Sequence, residues 1–128
     1  MKKILLVEPD SLLAKSYSQY LINNGFSVKV SHHVQKAVDE IDTELPDVVI
    51  LELQIASHNG YEFLYELRSY MEWQDIPVII HTSVPIHVSS MNDQIMKQLG
   101  VVSYLYKPST SLSKLLYAVD DSLTVSKK

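Results

Sequence analysis

Short apolar runs alternate with longer amphipathic segments along the whole chain. The runs lie at residues 4–7, 28–30, 48–51, 78–80 and 101–105 and are rich in valine, isoleucine and leucine. Several of them lack the apolar–polar alternation of a half-exposed strand, which is typical of parallel strands covered on both faces. The pattern therefore predicts five buried β-strands.

The segments between the runs have apolar residues at helical spacing. The first of these stripes consists of Leu12, Leu13, Tyr17, Tyr20 and Leu21. Asp10 stands before this segment as an N-cap signal, and Gly25 and Gly100 follow the first and fourth segments as C-cap signals. Strands that alternate with helices predict one α/β domain with a doubly wound parallel sheet. We assign this domain to residues 1–122 and expect a polar, frayed C-terminal tail at residues 123–128.

Composition and charge are those of an ordinary globular protein. The chain of 128 residues is 46% hydrophobic and 20% charged, with a net charge of −4. It has no run rich in lysine or arginine, which argues against nucleic acid as a partner. Because there is no cysteine, disulfides, cysteine nucleophiles and thiolate metal sites are excluded. The first apolar run is too short for a signal peptide, and no segment approaches the ~20 apolar residues of a membrane helix, so we expect a soluble, cytoplasmic protein that does not contact membranes.

The candidate functional residues follow the predicted strands. In a sheet of this kind, function lies beyond the carboxyl ends of the strands. The residues in those positions are Glu8, Pro9 and Asp10, then Glu52, then Thr82 and Ser83, and finally Lys107 and Pro108. The sequence thus predicts an edge that gathers acids, hydroxyls and one lysine.

Four stretches together resemble the receiver domain of bacterial response regulators, in the CheY-like superfamily. They are ILLVEPD, PDVVILELQIASHNGYEFLYELR, PVIIHTS and SYLYKP, which occur in the order of that family's strand motifs and span nearly the whole chain. The resemblance implies a flavodoxin-like receiver fold with a five-stranded sheet of order 2-1-3-4-5 and five helices. It also implies phosphorelay signal transduction in a two-component system.

The resemblance assigns roles to individual residues. Thr82, followed by Ser83, is similar to the hydroxyl that contacts the phosphoryl group, and Lys107 to the lysine that pairs with a phosphoryl oxygen. Tyr104 is similar to the aromatic residue whose rotamer reports the switch, and Pro108 to a proline that is often cis. Two positions depart from the family. The phosphate-accepting aspartate is replaced by Glu52, and the second acid of the first motif, normally a Mg²⁺ ligand, is replaced by Pro9.

Both departures act against phosphorylation. Glutamate places its carboxylate about 1 to 1.5 Å further out than aspartate, and a displacement of ~1 Å in such a site can cost ~100-fold in rate. Proline offers no side-chain oxygen to Mg²⁺, which requires near-octahedral oxygen ligation. We therefore expect no catalytic residues, no cofactor and weak or absent Mg²⁺ binding. The acidic site would retain Glu8 and Asp10, and Lys107 would pair with Glu52 or Glu8.

These expectations describe an atypical, stand-alone pseudo-receiver that is not an enzyme and acts through protein–protein contacts without phosphorylation. Its partner would be a histidine kinase or a downstream effector. A homodimer is also possible through the face of the fourth helix, fifth strand and fifth helix. The residues on or near that face are Val101, Val102, Tyr104, Tyr106 and Leu112.

Three alternatives remain open from the sequence. The first is an orthodox phosphorelay receiver that accepts phosphate on Glu52 from a histidine kinase. The second is a flavodoxin-like enzyme or cofactor binder, which is disfavoured because EPDSLL is not the glycine-rich loop that a phosphate group needs. The third is that Glu52 is only a surface acid that ends a strand. A transition-metal site is disfavoured, since the adjacent His32 and His33 face different ways on a strand or turn.

Overall fold

Five parallel strands form a single sheet in the order β2-β1-β3-β4-β5, as predicted. The computed structural model describes residues 1–55 and 60–126. The strands are β1 (Lys3–Val7), β2 (Ser27–Ser31), β3 (Val48–Leu51), β4 (Val78–Thr82) and β5 (Val101–Tyr106). Each contains one of the apolar runs, so the predicted strands are confirmed.

The connections between strands are helical and cover both faces of the sheet. The helices are α1 (Ser11–Asn23), α2 (Val34–Thr43), α3 (Gly60–Ser69), α4 (Asp93–Gln98) and α5 (Leu112–Ser126). Short 3₁₀ turns lie at Met71–Trp73 and Lys107–Ser109. Within the part of the chain that the structure describes, no helix combines the length and the apolar character that a bilayer crossing requires.

Successive residues of the central strands enter two separate cores. Leu5 and Val7 of β1 pack on one side with residues of α2 and α3. Ile4 and Leu6 pack on the other side with residues of α1 and α5. Because side chains alternate between the faces of a strand and both faces are covered, the central strands contain hardly any polar residue.

The first helix has the predicted caps but not the predicted buried stripe. The carboxylate of Asp10 accepts a hydrogen bond from the N–H of Leu13 at 3.0 Å, which caps the helix. However, Leu12 is 81% exposed, whereas Ala14 and Leu21 are buried. The prediction that Leu12 and Leu13 are buried was therefore wrong. The small Ala14 lies on the buried face of the helix, and the two larger leucines lie outside that face.

The last helix continues beyond the expected domain boundary. We expected a frayed tail from residue 123, but α5 extends to Ser126. Ser122 is buried, and its hydroxyl is satisfied because it donates to the carbonyl of Val119 in the same helix. Leu123 packs into the core that α5 shares with α1. The helix therefore includes residues that looked polar in sequence. Lys127 and Lys128 lie outside the described residues.

One arginine joins three parts of the chain through backbone groups. The guanidinium of Arg68, in the last turn of α3, donates to carbonyl oxygens at distances from 2.5 to 3.5 Å. The acceptors are Leu99, Trp73, Gln74, Ile76 and Gly100. This side chain therefore ties α3 to the turn before β4 and to the junction between α4 and β5.

We predict that Gly100→Ala destabilises the protein more than Gly25→Ala. Both glycines have positive φ, +68° and +95°, which costs an alanine ~1–2 kcal/mol. A Cβ at Gly100 would also lie 2.5 Å from Nη2 of Arg68, whereas a Cβ at Gly25 meets nothing within 4 Å. Since overpacking costs ~1–3 kcal/mol, the loss in unfolding free energy, measured by urea denaturation, should be at least ~1 kcal/mol larger for Gly100→Ala. Equal losses would show that the contact with Arg68 is unimportant.

Candidate functional site

Glu52 lies directly after β3, and its buried carboxylate is surrounded by donors. The ammonium nitrogen of Lys107 is 2.7 Å from Oε1, and the hydroxyl of Thr82 donates to Oε2. Backbone N–H groups complete the shell, from Gln54 to Oε2 at 3.1 Å and from Ser83 to Oε1 at 3.3 Å. The carboxylate is thus held by groups that follow or end three strands of the sheet.

Lys107 bridges two buried acids. Its Nζ atom lies 2.7 Å from Oε1 of Glu8 as well as 2.7 Å from Oε1 of Glu52. The side chain of Lys107 is 13% exposed, and those of Glu8 and Glu52 are 2% and 4% exposed. The sequence predicted that Lys107 would pair with one acid or the other, and the structure shows that it pairs with both.

The pKa values of Glu52 and Lys107 move in the directions that keep both side chains ionised. Burial alone would raise the pKa of Glu52, but hydrogen bonds from Lys107, Thr82 and the Gln54 N–H outweigh it and hold that pKa below its usual value. Burial alone would lower the pKa of Lys107, but its hydrogen bonds to Glu52 and Glu8 raise it. The cluster therefore contributes stability at neutral pH. That contribution is lost when pH falls through the lowered pKa of Glu52 or rises through the raised pKa of Lys107.

Asp10, predicted as part of the acidic site, does not place its carboxylate there. That carboxylate caps α1, and only the backbone N–H of Asp10 contributes, donating to Oε2 of Glu8 at 3.1 Å. The strand order instead brings His32 to the same edge, where its Nδ1 lies 2.9 Å from the carbonyl oxygen of Glu8. The predicted capping role of Asp10 is confirmed, whereas its assignment to the acidic site was wrong, because its carboxylate is used at the helix start.

A chain of hydrogen bonds leads from Glu52 to Tyr104. The hydroxyl of Thr82, which donates to Glu52, accepts from the N–H of Val84 at 3.2 Å. The carbonyl of Val84 in turn accepts from the hydroxyl of Tyr104 at 2.6 Å. Tyr104 is half-buried and packs against the core beneath α3. The position of its ring is therefore linked to the carboxylate of Glu52 through one residue of the β4–α4 loop.

Pro108 differs from the expectation carried by the family resemblance. No peptide bond among the described residues is cis, so the bond before Pro108 is trans. Pro108 lies in the 3₁₀ turn Lys107–Ser109, at a position near the start of a helical turn. Proline suits that position because its fixed φ is helical and its missing N–H would be unpaired there.

The residues at this edge do not fit a magnesium site. Both available carboxylates, Glu8 and Glu52, are bound to Lys107, and Pro9 has no side-chain oxygen. In the ranges 1–55 and 60–126 no group of three histidine or acidic side chains is placed to hold a metal ion. Mg²⁺ needs several oxygen ligands, so its binding here would require Lys107 to give up an acid.

His81 lies beside the site, on the opposite face of β4 from Thr82. The structure buries it fully, with its ring edge-on to Tyr17 at a centroid distance of 4.9 Å. Within the described residues its Nδ1 has no hydrogen-bond partner. Burial, together with the positive charge of Lys107, lowers the pKa of His81 to about 4.

The surface predicted for partner contacts is only partly exposed. Val102 and Tyr106 on β5 are 42% and 36% exposed. Val101 is buried and Tyr104 is half-buried, so neither offers the area that the sequence suggested. Leu112 is also half-buried.

Sequence reasoning missed the backbone donors at the site. The N–H groups of Gln54 and Ser83 both donate to the carboxylate of Glu52. A backbone donor leaves no signal in residue type.

Comparisons with known proteins point to one family. The response regulator receiver domain model matches residues 4–120. The chain is 30% identical over 111 residues to the probable transcriptional regulator ycf29 of Pyropia yezoensis, covering 87% of this chain and 50% of that protein. It is 30% identical over 109 residues to the response regulator MprA of Mycobacterium avium (strain 104), covering 83% and 44%. The chain thus spans half or less of the length of these relatives.

Solved structures are similar over almost the whole chain. One is a CheY-like response regulator receiver domain protein from Methanospirillum hungatei JF-1, with a TM-score of 0.87 and 20% identity over 99% of this chain and 97% of that chain. Another is the chemotaxis protein CheY4 of Vibrio cholerae, with a TM-score of 0.84 and 23% identity over 96% and 99%. At these identities the likeness shows the fold.

We predict that Lys107→Met strongly destabilises the protein. Methionine keeps most of the length of the side chain but leaves two buried carboxylates without a cation, and breaking a buried pair costs ~3–5 kcal/mol. Lys3→Met is the matched control, since the Lys3–Glu44 pair is 45% exposed on both sides and should cost below ~1 kcal/mol. Both losses are measured by urea denaturation at neutral pH. A loss for Lys107→Met no larger than the control would contradict the bridging role.

We predict that His81 makes the protein less stable at pH 5 than at pH 7. Unfolding returns its pKa from about 4 to 6.5, so the unfolded chain binds a proton that the folded chain does not. The resulting loss is about 2 kcal/mol. His81→Phe keeps a ring beside Tyr17 and should lose about 2 kcal/mol less than the parent between these pH values. Urea denaturation at the two pH values measures both losses, and identical losses would show that His81 does not titrate as described.

Proposed function

Because the chain belongs to the response regulator receiver domain family, we propose that it is a receiver that signals without being phosphorylated, with the Glu52 carboxylate taking the place of a phosphoryl group. Membership in the family establishes that the chain is a receiver domain that acts in signal transduction. The proposal concerns how its site has changed.

The contacts of Glu52 carry the proposal. By the resemblance, Thr82 and Lys107 are the residues that would bind the phosphoryl oxygens. Here both already bind the longer carboxylate of Glu52. A second donor on each oxygen comes from the N–H groups of Gln54 and Ser83. A carboxylate with charge-assisted bonds of this kind is strongly held, which supports a site that is permanently occupied.

The same contacts disfavour Glu52 as a phosphate acceptor. A nucleophile must present an oxygen in line with the donor phosphorus, with a cation to offset the charge of the phosphoryl oxygens. Oε1 of Glu52 is bound to Lys107 and Oε2 to Thr82, so neither is free. Mg²⁺ would offset that charge, but it lacks oxygen ligands here. Glu8 is bound to Lys107, and Pro9 has no side-chain oxygen.

We assign the conformation that the contacts of Glu52 hold in place to the state that a phosphorylated receiver would adopt. The hydroxyl of Thr82 is drawn to Glu52, and Tyr104 is drawn to the carbonyl of Val84 rather than exposed. Both contacts are those expected if a group at the position of Glu52 attracts the hydroxyl of Thr82. The hydrogen-bond chain then passes this pull to β5.

Output in this proposal occurs by protein contact and not by catalysis. The exposed Val102 and Tyr106 lie on either side of Tyr104 along β5. A change in the position of the Tyr104 ring would therefore alter the surface that they form. A groove of about 320 Å³ lies beside them, lined by Pro85, Ile86, His87, Tyr104 and Tyr106. A downstream effector, a histidine kinase or a second copy of the chain would bind on this side.

We predict that the protein forms no phosphorylated species with acetyl phosphate and Mg²⁺, as measured by intact-mass spectrometry. The double variant Pro9→Asp/Glu52→Asp restores both an oxygen ligand for the metal and a shorter acceptor. It should therefore gain a phosphorylated form that depends on Mg²⁺. Glu52→Gln in the parent background serves as the acceptor control. Stoichiometric phosphorylation of the parent chain, abolished by Glu52→Gln, would replace our proposal with an orthodox receiver that uses glutamate.

A further inference from the structure

A second recess lies at the opposite end of the sheet from Glu52. It is a groove of about 580 Å³ between the C-terminal half of α2 and the 3₁₀ turn Met71–Trp73. These segments lead into the amino ends of β3 and β4, whereas Glu52 follows the carboxyl end of β3. The groove therefore shares no residue with the site described above.

Acidic side chains form the rim of this groove. Asp39, Asp42 and Glu72 all line it and are all exposed. Among the described residues that line the groove there is no lysine, arginine or histidine. The carboxylates of Asp42 and Glu72 have no described ion pair, so the rim carries uncompensated negative charge.

The groove also has an apolar and aromatic lining. Leu45 and Tyr70 line it and are 50% and 43% exposed. The ring of Tyr70 packs on Trp73 at a centroid distance of 4.4 Å, and Met71 between them is 83% exposed. Exposed apolar side chains that cluster within a polar rim are typical of a protein-binding surface.

The floor of the groove is fixed before anything binds. Arg68 donates from Nη1 to the carbonyl of Trp73 at 2.7 Å and to that of Gln74 at 3.0 Å. These bonds hold the turn that carries Tyr70 and Glu72 against α3. A preformed recess loses little conformational entropy on binding.

We propose that this groove docks a basic, amphipathic segment of a partner protein. The apolar residues of the segment would pack on Leu45 and Tyr70, and its lysine or arginine side chains would pair with Asp42 and Glu72. Aromatic rings that flank carboxylates also favour cations through their π faces. A second copy of this chain is a poorer occupant, because its net charge of −4 would be repelled by the acidic rim.

The test uses the tryptophan of the groove as its reporter. Trp73 is the sole tryptophan of the chain, so its fluorescence reports what happens there. The full chain is titrated with a synthetic helical peptide made of leucine and lysine, and with a peptide of the same pattern made of leucine and glutamate. We expect a saturable change with the first peptide and none with the second. The affinity should fall when salt is raised from about 0.05 M to about 0.5 M.

Charge-reversal variants locate the binding. We expect Asp42→Lys/Glu72→Lys to raise the dissociation constant by at least about tenfold. The matched control is Asp120→Lys/Asp121→Lys on α5, which changes two exposed acids on the other face of the sheet and shifts the net charge by the same amount. It should change the dissociation constant by less than about threefold. Tyr70→Ala, which keeps the charges, should also weaken binding.

Three results would overturn the proposal. One is the absence of a saturable change in Trp73 fluorescence with the lysine peptide. The second is an equal loss of affinity in the α5 control, which would mean that overall charge alone attracts the peptide. The third is a dimer of the parent chain in sedimentation that Tyr70→Ala dissociates, which would mean that a second copy covers the groove.

Discussion

The bridge from Lys107 to Glu8 and Glu52 holds the functional edge of the sheet together. Three charged groups are buried here in a hydrogen-bonded arrangement, and each would be costly without the others. Glu8 follows β1, Glu52 follows β3 and Lys107 follows β5, so the bridge also joins strands across the width of the sheet. The ammonium group of Lys107 offsets the charge of both acids, and this pairing is part of the fold.

The fold was largely predictable because the central strands are covered on both faces. A run such as residues 48–51, which is apolar at every position, is typical of a parallel strand that is covered on both faces. The helices were less predictable, since their buried faces depend on what lies opposite. At α1 the small residue Ala14 faces the sheet and the larger Leu12 faces solvent, which no periodicity could distinguish. The end of α5 escaped prediction for a similar reason, because Ser122 satisfies its hydroxyl within its own helix.

The site was predictable in membership but not in detail. Parallel strands bring their carboxyl ends to one edge, so Glu8, Glu52, Thr82 and Lys107 had to be neighbours. Residue types do not show how far a side chain reaches, and the reach of Lys107 decided between one acid and two. Two roles for Asp10 followed from the sequence, and the structure shows the capping role, in which its carboxylate accepts from the N–H of Leu13.

The carboxylate of Glu52 has one further consequence in the module that we propose. An acyl phosphate is a mixed anhydride that water hydrolyses, and the signal ends when it is hydrolysed. The carboxylate of Glu52 is joined to the chain by carbon–carbon bonds, which water does not hydrolyse. The duration of a signal from this protein would then be set by how fast the cell makes and degrades the polypeptide, so its control would lie in gene expression and proteolysis.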